Sequence, residues 1–265
     1  APFDDASENM ARGMVKNFLI DNNGRMELDF EATEELLSKD TKMLFFCNPH
    51  NPGGTVFNKE EITTLVEICE RHNITICSDE IHCDLILQDD LEHFHLASLN
   101  EYAKQNSITI LGPCKTFNLA GFPLAASIIP NKELREDFIQ NTKGIVSHID
   151  NLAFVASTAA YKYAGEWHKE LIEYLQENKK ILIEGLNKID GLSLSGPEAG
   201  FLAWVDCRET GLDTPGDFFI NHAGVGVYDG SWFGREGYIR LNFGCPRSVL
   251  QESIERIQKA FSQRN

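Results

Sequence analysis

The sequence predicts an α/β fold: a mostly parallel sheet with helices on both faces, followed by a smaller C-terminal α+β domain. Two observations predict it. In the first half, short apolar runs alternate with amphipathic helices, as in βαβ units. The second half opens with one long helix and continues with two alternating, strand-like segments and a final helix. We expect domains at residues 1–150 and 151–265, with the boundary between about Gly144 and Gly165.

Four short runs are the predicted strands of the sheet. Each is apolar on both faces and bounded by turn residues, which is typical of buried strands in a parallel sheet. The runs are Met43–Cys47, Ile74–Cys77, Ile108–Leu111 and Ala125–Ile129.

The helix that follows the first of these runs has a clear start. Asn58 is a preferred N-cap residue, and Glu61 at the third helical position completes a capping box. Apolar residues then recur at i, i+3, i+4 and i+7, which predicts one buried face. They are Ile62, Leu65, Val66 and Cys69.

Two further helices and two strands are predicted in the second half. The long helix runs from about Trp167 to Asn187, and Gly191 is the residue predicted to terminate it. Its apolar side carries Trp167, Leu171, Leu175, Leu182 and Leu186. The strands are Phe201–Val205 and Tyr238–Phe243.

The final helix is predicted to start at Ser248, with Gln251 completing a second capping box. Its apolar positions are Leu250, Ile254, Ile257 and Phe261.

Charge and length exclude some functions. The 265 residues carry a formal net charge of −16, and phosphate backbones and anionic lipid repel so acidic a protein. We therefore expect neither a nucleic-acid nor a membrane partner. No run approaches the ~20 apolar residues that cross a bilayer.

Seven cysteines without a CxxC motif predict reduced thiols in a cytoplasmic protein, most of them in the core. A zinc site is conceivable from Cys77, His82 and Cys83 with His93 and His95. Their spacing lacks the paired ligands of structural zinc sites, so no metal is predicted.

Four polar stretches lie at the ends of predicted strands, where ligands bind in open α/β sheets. They are Asn48-Pro49-His50-Asn51-Pro52-Gly53-Gly54, Ser78-Asp79-Glu80-Ile81-His82, Gly112-Pro113-Cys114-Lys115-Thr116-Phe117-Asn118-Leu119-Ala120-Gly121 and Arg240-Leu241-Asn242-Phe243.

Each stretch also has a structural interpretation when taken alone. The Asn51 loop is a turn, or it presents an amide to a ligand. Adjacent Asp79 and Glu80 lie in a solvated loop, or they meet cations on burial. Lys115 is solvated, or it is a desolvated amine with a lowered pKa. Arg240 in an apolar strand needs a carboxylate, and a structural Asp or Glu is favoured over a substrate.

Together the four stretches resemble one family. Their order and spacing are similar to those of pyridoxal-phosphate enzymes of the aspartate aminotransferase fold. The Lys-Thr-Phe-Asn-Leu-Ala-Gly and Asp-Glu-Ile-His segments resemble the cystathionine β-lyase/PatB-type C–S lyase branch. The resemblance covers essentially the whole chain and implies a large pyridoxal 5'-phosphate domain at 1–150 and a small domain at 151–265.

The resemblance also implies roles for single residues. Lys115 would hold the cofactor covalently and then remove the substrate Cα proton. Asp79 would pair with the pyridine nitrogen, and Asn51 would donate to the ring's 3-oxygen. Ile81 would pack on the ring, while His82 would lie near the 3-oxygen or serve in packing.

At the substrate end, Arg240 would bind the α-carboxylate of a small-molecule amino-acid substrate. Many relatives carry serines where this chain has Gly112 and Cys114, so two phosphate-binding hydroxyls are missing. Thr116 is the candidate to supply one. A homodimer is also implied.

The family's chains continue upstream of the segment that matches Pro2 and Phe3. We therefore expect an N-terminally truncated form that lacks the Gly-containing phosphate loop, the ring-stacking aromatic residue, the first strands and the dimer-crossing residues. Three functions remain open: a C–S β-lyase, an aminotransferase on the same fold, and a catalytically incompetent fragment of such an enzyme.

Overall fold

The structure is a computed structural model that describes Ser7 and residues 10–264; Pro2 and Phe3 lie outside the described residues. The strands are β1 (Ile20–Asn22), β2 (Arg25–Glu27), β3 (Met43–Cys47), β4 (Thr75–Asp79), β5 (Ser107–Leu111), β6 (Ala126–Ile128), β7 (Leu202–Asp206), β8 (Tyr228–Asp229) and β9 (Tyr238–Asn242). The α-helices are α1 (Phe30–Leu36), α2 (Lys59–His72), α3 (Glu101–Gln105), α4 (Lys132–Thr142), α5 (Asn151–Tyr163), α6 (Gly165–Leu186), α7 (Pro215–Asn221) and α8 (Arg247–Ser262).

The first sheet has the order β3-β4-β5-β6. Strands β3, β4 and β5 are parallel, with Cys47 opposite Asp79 and Asp79 opposite Ile110. The predicted α/β class with a mostly parallel sheet is therefore confirmed. Because the three strands end in register, the loops that follow them leave from one edge.

The prediction for the fourth strand is wrong in two respects. Strand β6 pairs antiparallel with β5, and all of its residues are exposed. A parallel partner needs a crossover connection, usually a helix. The chain between Leu111 and Ala126 forms turns and carries no helix, so it folds back beside β5 instead.

The predicted start of helix α2 is confirmed. Asn58 Oδ1 accepts from the Glu61 N–H at 2.9 Å, and Glu61 Oε2 accepts from the Asn58 N–H at 2.8 Å. The predicted apolar positions Ile62, Leu65, Val66 and Cys69 are all buried. This helix covers one face of the sheet.

The second sheet is antiparallel, with the order β7-β9-β8, and both predicted strands are present. Helices α6 and α8 pack on each other. On α6 the predicted residues Leu175, Leu182 and Leu186 are buried, but Trp167 is 45% exposed.

The long helix lies within two residues of its predicted range, but the roles predicted for Gly191 and Ser248 at the helix ends are wrong. Helix α6 ends at Leu186, and Gly191 lies in the following turn, where it has a φ of 85° and closely approaches the Glu209 carbonyl. Helix α8 begins at Arg247, so Ser248 lies inside its first turn. Its N-cap is Pro246, without a side-chain cap. The predicted apolar face of α8 is correct, since Leu250, Ile254 and Ile257 are buried and Phe261 packs beside them.

The two larger hydrophobic cores follow the two halves of the chain, and a small third cluster joins Met26 to Trp204 and Tyr238. The first lies between the parallel sheet and α2, and the second lies around β7, β9, α6 and α8. Leu85 and Leu87 belong to the second core although they lie early in the chain. The division into domains at residues 1–150 and 151–265 stays a prediction.

All seven cysteines are free, and three of them are buried: Cys69, Cys77 and Cys207. The other four are half-buried, so fewer thiols than expected belong to the core. Within the described residues, no helix has the length and apolar character needed to cross a membrane.

The capping box predicts a measurable contribution to stability. We expect Asn58→Ala to lower the free energy of unfolding by about 1 kcal/mol, because the Glu61 N–H loses its acceptor. Urea denaturation followed by circular dichroism checks this. Asn58→Asp keeps an acceptor and is the matched control. Equal stability of Asn58→Ala and the unmodified protein would contradict the contribution of the cap.

Candidate active site

The loop after β3 is fixed to the neighbouring strand by Asn48. Its backbone N–H donates to the Asp79 carbonyl at 3.0 Å, and its buried side chain accepts from the Phe57 N–H at 2.9 Å. These bonds close the loop around residues 49–56. Asn51 lies exposed in this loop, with its amide available to a ligand or a partner side chain.

Asp79 is the last residue of β4 and is half-buried. The Ile81 N–H donates to its Oδ1 at 3.2 Å. Burial raises the pKa of Asp79, and the positive charge of Lys115 opposes that increase. A carboxylate in this state favours a cationic hydrogen-bond donor.

The turn after β5 carries Lys115 and approaches the β4 loop closely. A Cβ on Gly112 would lie 2.8 Å from the Leu124 carbonyl oxygen and 3.1 Å from Ile81 Cδ1. Only glycine allows this approach. Lys115 is exposed in the turn, whereas Thr116 is buried, and Thr116 Oγ1 has no hydrogen-bond partner among the described residues.

His82 is buried beside the other candidate residues. Burial, together with the positive charges of Lys115 and Arg240, lowers the pKa of His82 to about 4. The ring contacts Phe201 edge to face, with centroids 5.8 Å apart. Its Nδ1 is buried and finds no partner in the described part of the chain. His82 is therefore neutral at pH 7.

Arg240 comes from β9 in the other half of the chain and reaches the Asn51 loop. Its Nη1 donates to Asn51 Oδ1 at 2.9 Å. Its guanidinium lies 4.7 Å from the ring centroids of both Tyr228 and Phe233. Arg240 Nε is buried and has no partner among the described residues.

The ion pair favoured for Arg240 from its own stretch is not found. Within residues 10–264, no carboxylate pairs with this guanidinium, which stacks between aromatic rings and meets an amide instead. Its Nε, which has no partner among the described residues, therefore remains available for an external carboxylate.

The structure brings together residues from all four motifs. Asn51 contacts Arg240 directly, while Lys115 acts electrostatically on Asp79 and on His82. Ile81 lies against the turn that carries Lys115. Tyr228 and Phe233 could not be found from the sequence, because isolated aromatic residues in loops and short strands carry no distinguishing signal.

The remaining prediction about this segment concerns Glu80. It is buried, and two imidazoles approach it: its Oε2 lies 2.9 Å from His93 Nε2 and 2.5 Å from His95 Nδ1. Of the residues considered for a zinc site from the sequence, Cys77, His82 and Cys83 do not group with these histidines in the described part of the chain.

Comparison with known proteins supports the resemblance. The family profile named "Aminotransferase class I and II" matches residues 6–257. The chain belongs to this family. Cystathionine beta-lyase PatB of Bacillus subtilis is 34% identical over 268 residues, which cover 98% of this chain and 69% of PatB. Protein MalY of Escherichia coli is 31% identical, and the match covers 59% of its length.

Solved structures show the same similarity. Cystalysin from Treponema denticola, a structure that contains pyridoxal 5'-phosphate, has a TM-score of 0.95 and 32% identity, covering 100% of this chain and 68% of cystalysin. The structure of OvoB has a TM-score of 0.96 and 39% identity, covering 100% of this chain and 69% of OvoB.

The burial of His82 predicts its titration. Its pKa in the folded state lies below the ordinary 6.5, so the unfolded chain binds the proton first as the pH falls. Above pH 6.5 His82 is neutral in both states and does not lower the free energy of unfolding. Below pH 6.5 the unfolded chain takes up the proton, which lowers the free energy of unfolding by up to about 3 kcal/mol towards pH 4. We expect the His82 ring resonances to show no titration between pH 5.5 and 8 in NMR spectra.

The resonances that are lost in the spectrum of His82→Gln are those of His82. The same variant should make the free energy of unfolding less dependent on pH. His72→Gln, on the exposed end of α2, is the control and should leave the His82 signals unchanged. A His82 midpoint near 6.5 would contradict the predicted burial effect.

Proposed function

We propose that this chain is a pyridoxal-phosphate-dependent C–S β-lyase that acts on a cysteine- or cystathionine-type amino acid. One observation carries the proposal: the Arg240 guanidinium, from the second sheet, donates to Asn51 Oδ1 at 2.9 Å in the loop after β3. The candidate substrate-binding guanidinium thus reaches the sheet edge from which the loops of Asp79 and Lys115 also leave. Relatives named cystathionine beta-lyase support the choice of reaction.

The residues present fit pyridoxal 5'-phosphate. The half-buried Asp79, with its raised pKa, suits the protonated ring nitrogen of the cofactor. Lys115 offers an exposed primary amine in the turn after β5, which lies next to the loop after β4. The unpartnered Thr116 Oγ1 and Arg240 Nε are donors for the phosphate and for a substrate carboxylate, respectively. When bound, the cofactor supplies an electron sink for negative charge at the substrate Cα.

Each protein group has a defined task in this proposal. Arg240 binds the substrate α-carboxylate through a bidentate pair, held in orientation by Tyr228 and Phe233. Lys115 takes the proton from the substrate Cα. Asp79 keeps a proton at the ring nitrogen, and the neutral His82 adds no positive charge beside these groups.

The overall reaction balances with water as the further reactant. The Cα proton leaves to Lys115, the Cβ–S bond breaks, and the thiolate departs with the electron pair and is protonated. The remaining three-carbon fragment takes up water and gives pyruvate and ammonia. The proposed substrate is therefore an amino acid with sulfur on Cβ.

An aminotransferase is the second candidate, and the family name itself favours it. It would use the same Lys115, Asp79 and Arg240, but it needs a keto-acid acceptor. Product analysis separates the two functions. Pyruvate and a thiol formed without any keto acid indicate the lyase, whereas turnover that requires a keto acid indicates the aminotransferase.

The homodimer implied by the resemblance also stays a proposal.

Lys115 provides the direct test of cofactor binding. We expect added pyridoxal 5'-phosphate to give a visible absorption band that Lys115→Ala abolishes, because no other amine replaces it. Lyase activity should be lost in the same variant. Lys104→Ala, on the exposed surface, is the control and should keep both. The band persisting in Lys115→Ala, or appearing in neither protein, would contradict the cofactor assignment.

Arg240 provides the test of substrate binding. We expect Arg240→Lys to lower kcat/KM by on the order of 10- to 100-fold, because one bidentate charge-assisted pair is lost. The cofactor absorption band should remain. Arg256→Lys, in an exposed pair with Glu252, is the matched control. Unchanged kcat/KM in Arg240→Lys would contradict its role.

A further inference from the structure

A second group of potential ligands lies directly after Asp79. Glu80 is 1% exposed, and two imidazoles approach the same carboxylate oxygen. The rings of His93 and His95 lie nearly perpendicular, at 79°, with centroids 4.7 Å apart. Neither imidazole has a task in the proposed reaction.

The other oxygen of Glu80 fixes the orientation of the carboxylate. Its Oε1 accepts from the Ser78 hydroxyl at 2.8 Å and from the Leu96 N–H at 3.2 Å. These two donors hold the carboxylate with Oε2 directed at the histidines.

The two histidines differ in exposure. The side chain of His93 is 6% exposed, whereas that of His95 is 48% exposed. His93 Nδ1 is buried and has no partner among the described residues. The other ring nitrogen, Nε2, approaches Glu80 and is therefore the ligating atom. His95 gives the cluster an opening to solvent through which an ion can enter.

We propose that Glu80 Oε2, His93 Nε2 and His95 Nδ1 bind one divalent ion of the Zn²⁺ class. Two imidazoles and one carboxylate are a preferred donor set for Zn²⁺, and three protein ligands leave the fourth position for water. The three ligand atoms lie within 4.8 Å of one another. Metal bonds of ~2.0–2.2 Å need ligands about 3.3 Å apart, so small side-chain shifts admit the ion.

Binding the ion has a structural consequence at the end of β4. The ion replaces the N–H protons that now join each imidazole to Glu80, so each bound nitrogen gives up its proton to the ring's other nitrogen or to solvent. It also joins the residue after Asp79 to the segment that carries both histidines. The bound ion therefore stabilises the folded chain.

Zinc titration of the chelator-treated full chain tests the site. We expect one Zn²⁺ bound per chain by calorimetry, together with a rise in Tm. His95→Gln should lower the affinity by at least about tenfold and should fold normally, because the side chain is half exposed. His72→Gln is the control, since His72 also lies beside a glutamate but outside the cluster, and it should bind like the unmodified protein.

Substitution with Co²⁺ distinguishes this cluster from the seven free thiols. The proposal predicts a cobalt spectrum without thiolate charge-transfer bands, and His95→Gln should remove its ligand-field bands. No stoichiometric zinc binding, equal affinity in His95→Gln, or thiolate bands in the cobalt protein would each overturn the proposal. All of these readouts are independent of lyase activity and of bound cofactor.

Discussion

The common register of β3, β4 and β5 is the constraint on which the candidate site depends. Cys47, Asp79 and Ile110 are adjacent across the sheet, so three polar loops leave one edge at the same level. A slip of one residue would turn Asp79 to the opposite face. The bond from the Asn48 N–H to the Asp79 carbonyl continues this register beyond the last strand pair. Arg240 then joins from the second sheet through its contact with Asn51.

Much of the first half could be predicted because its signals are local. The alternation of apolar runs and helices indicated the sheet, and Asn58 with Glu61 indicated the start of α2. The direction of β6 could not be predicted, because strand direction depends on the connection from Leu111 and not on apolar character. The start of α8 was missed since Ser248 and Gln251 match a capping box by spacing, while the chain already turns helical at Arg247.

The sequence predicts candidate members of the site but not the contacts between them. Charged residues follow or lie in apolar strands at three positions: Asp79, Lys115 and Arg240. A charge in such a place is costly unless it has a partner, so it indicates a ligand or an ion pair. The contact between Asn51 and Arg240 spans 189 positions, and no local pattern encodes it. Glu80 and its two histidines likewise meet only through folding. The net charge of −16 is a property of the surface, whereas Lys115 and Arg240 supply local positive charge where an anionic cofactor and substrate would bind.

The most direct measurement of the central claim locates the cofactor on the chain. The protein is incubated with pyridoxal 5'-phosphate, reduced with borohydride, digested and analysed by mass spectrometry. A site built at the ends of β3, β4 and β5 predicts one phosphopyridoxyl group per chain, on Lys115. A label on another lysine, or one spread over several surface lysines, would contradict the site.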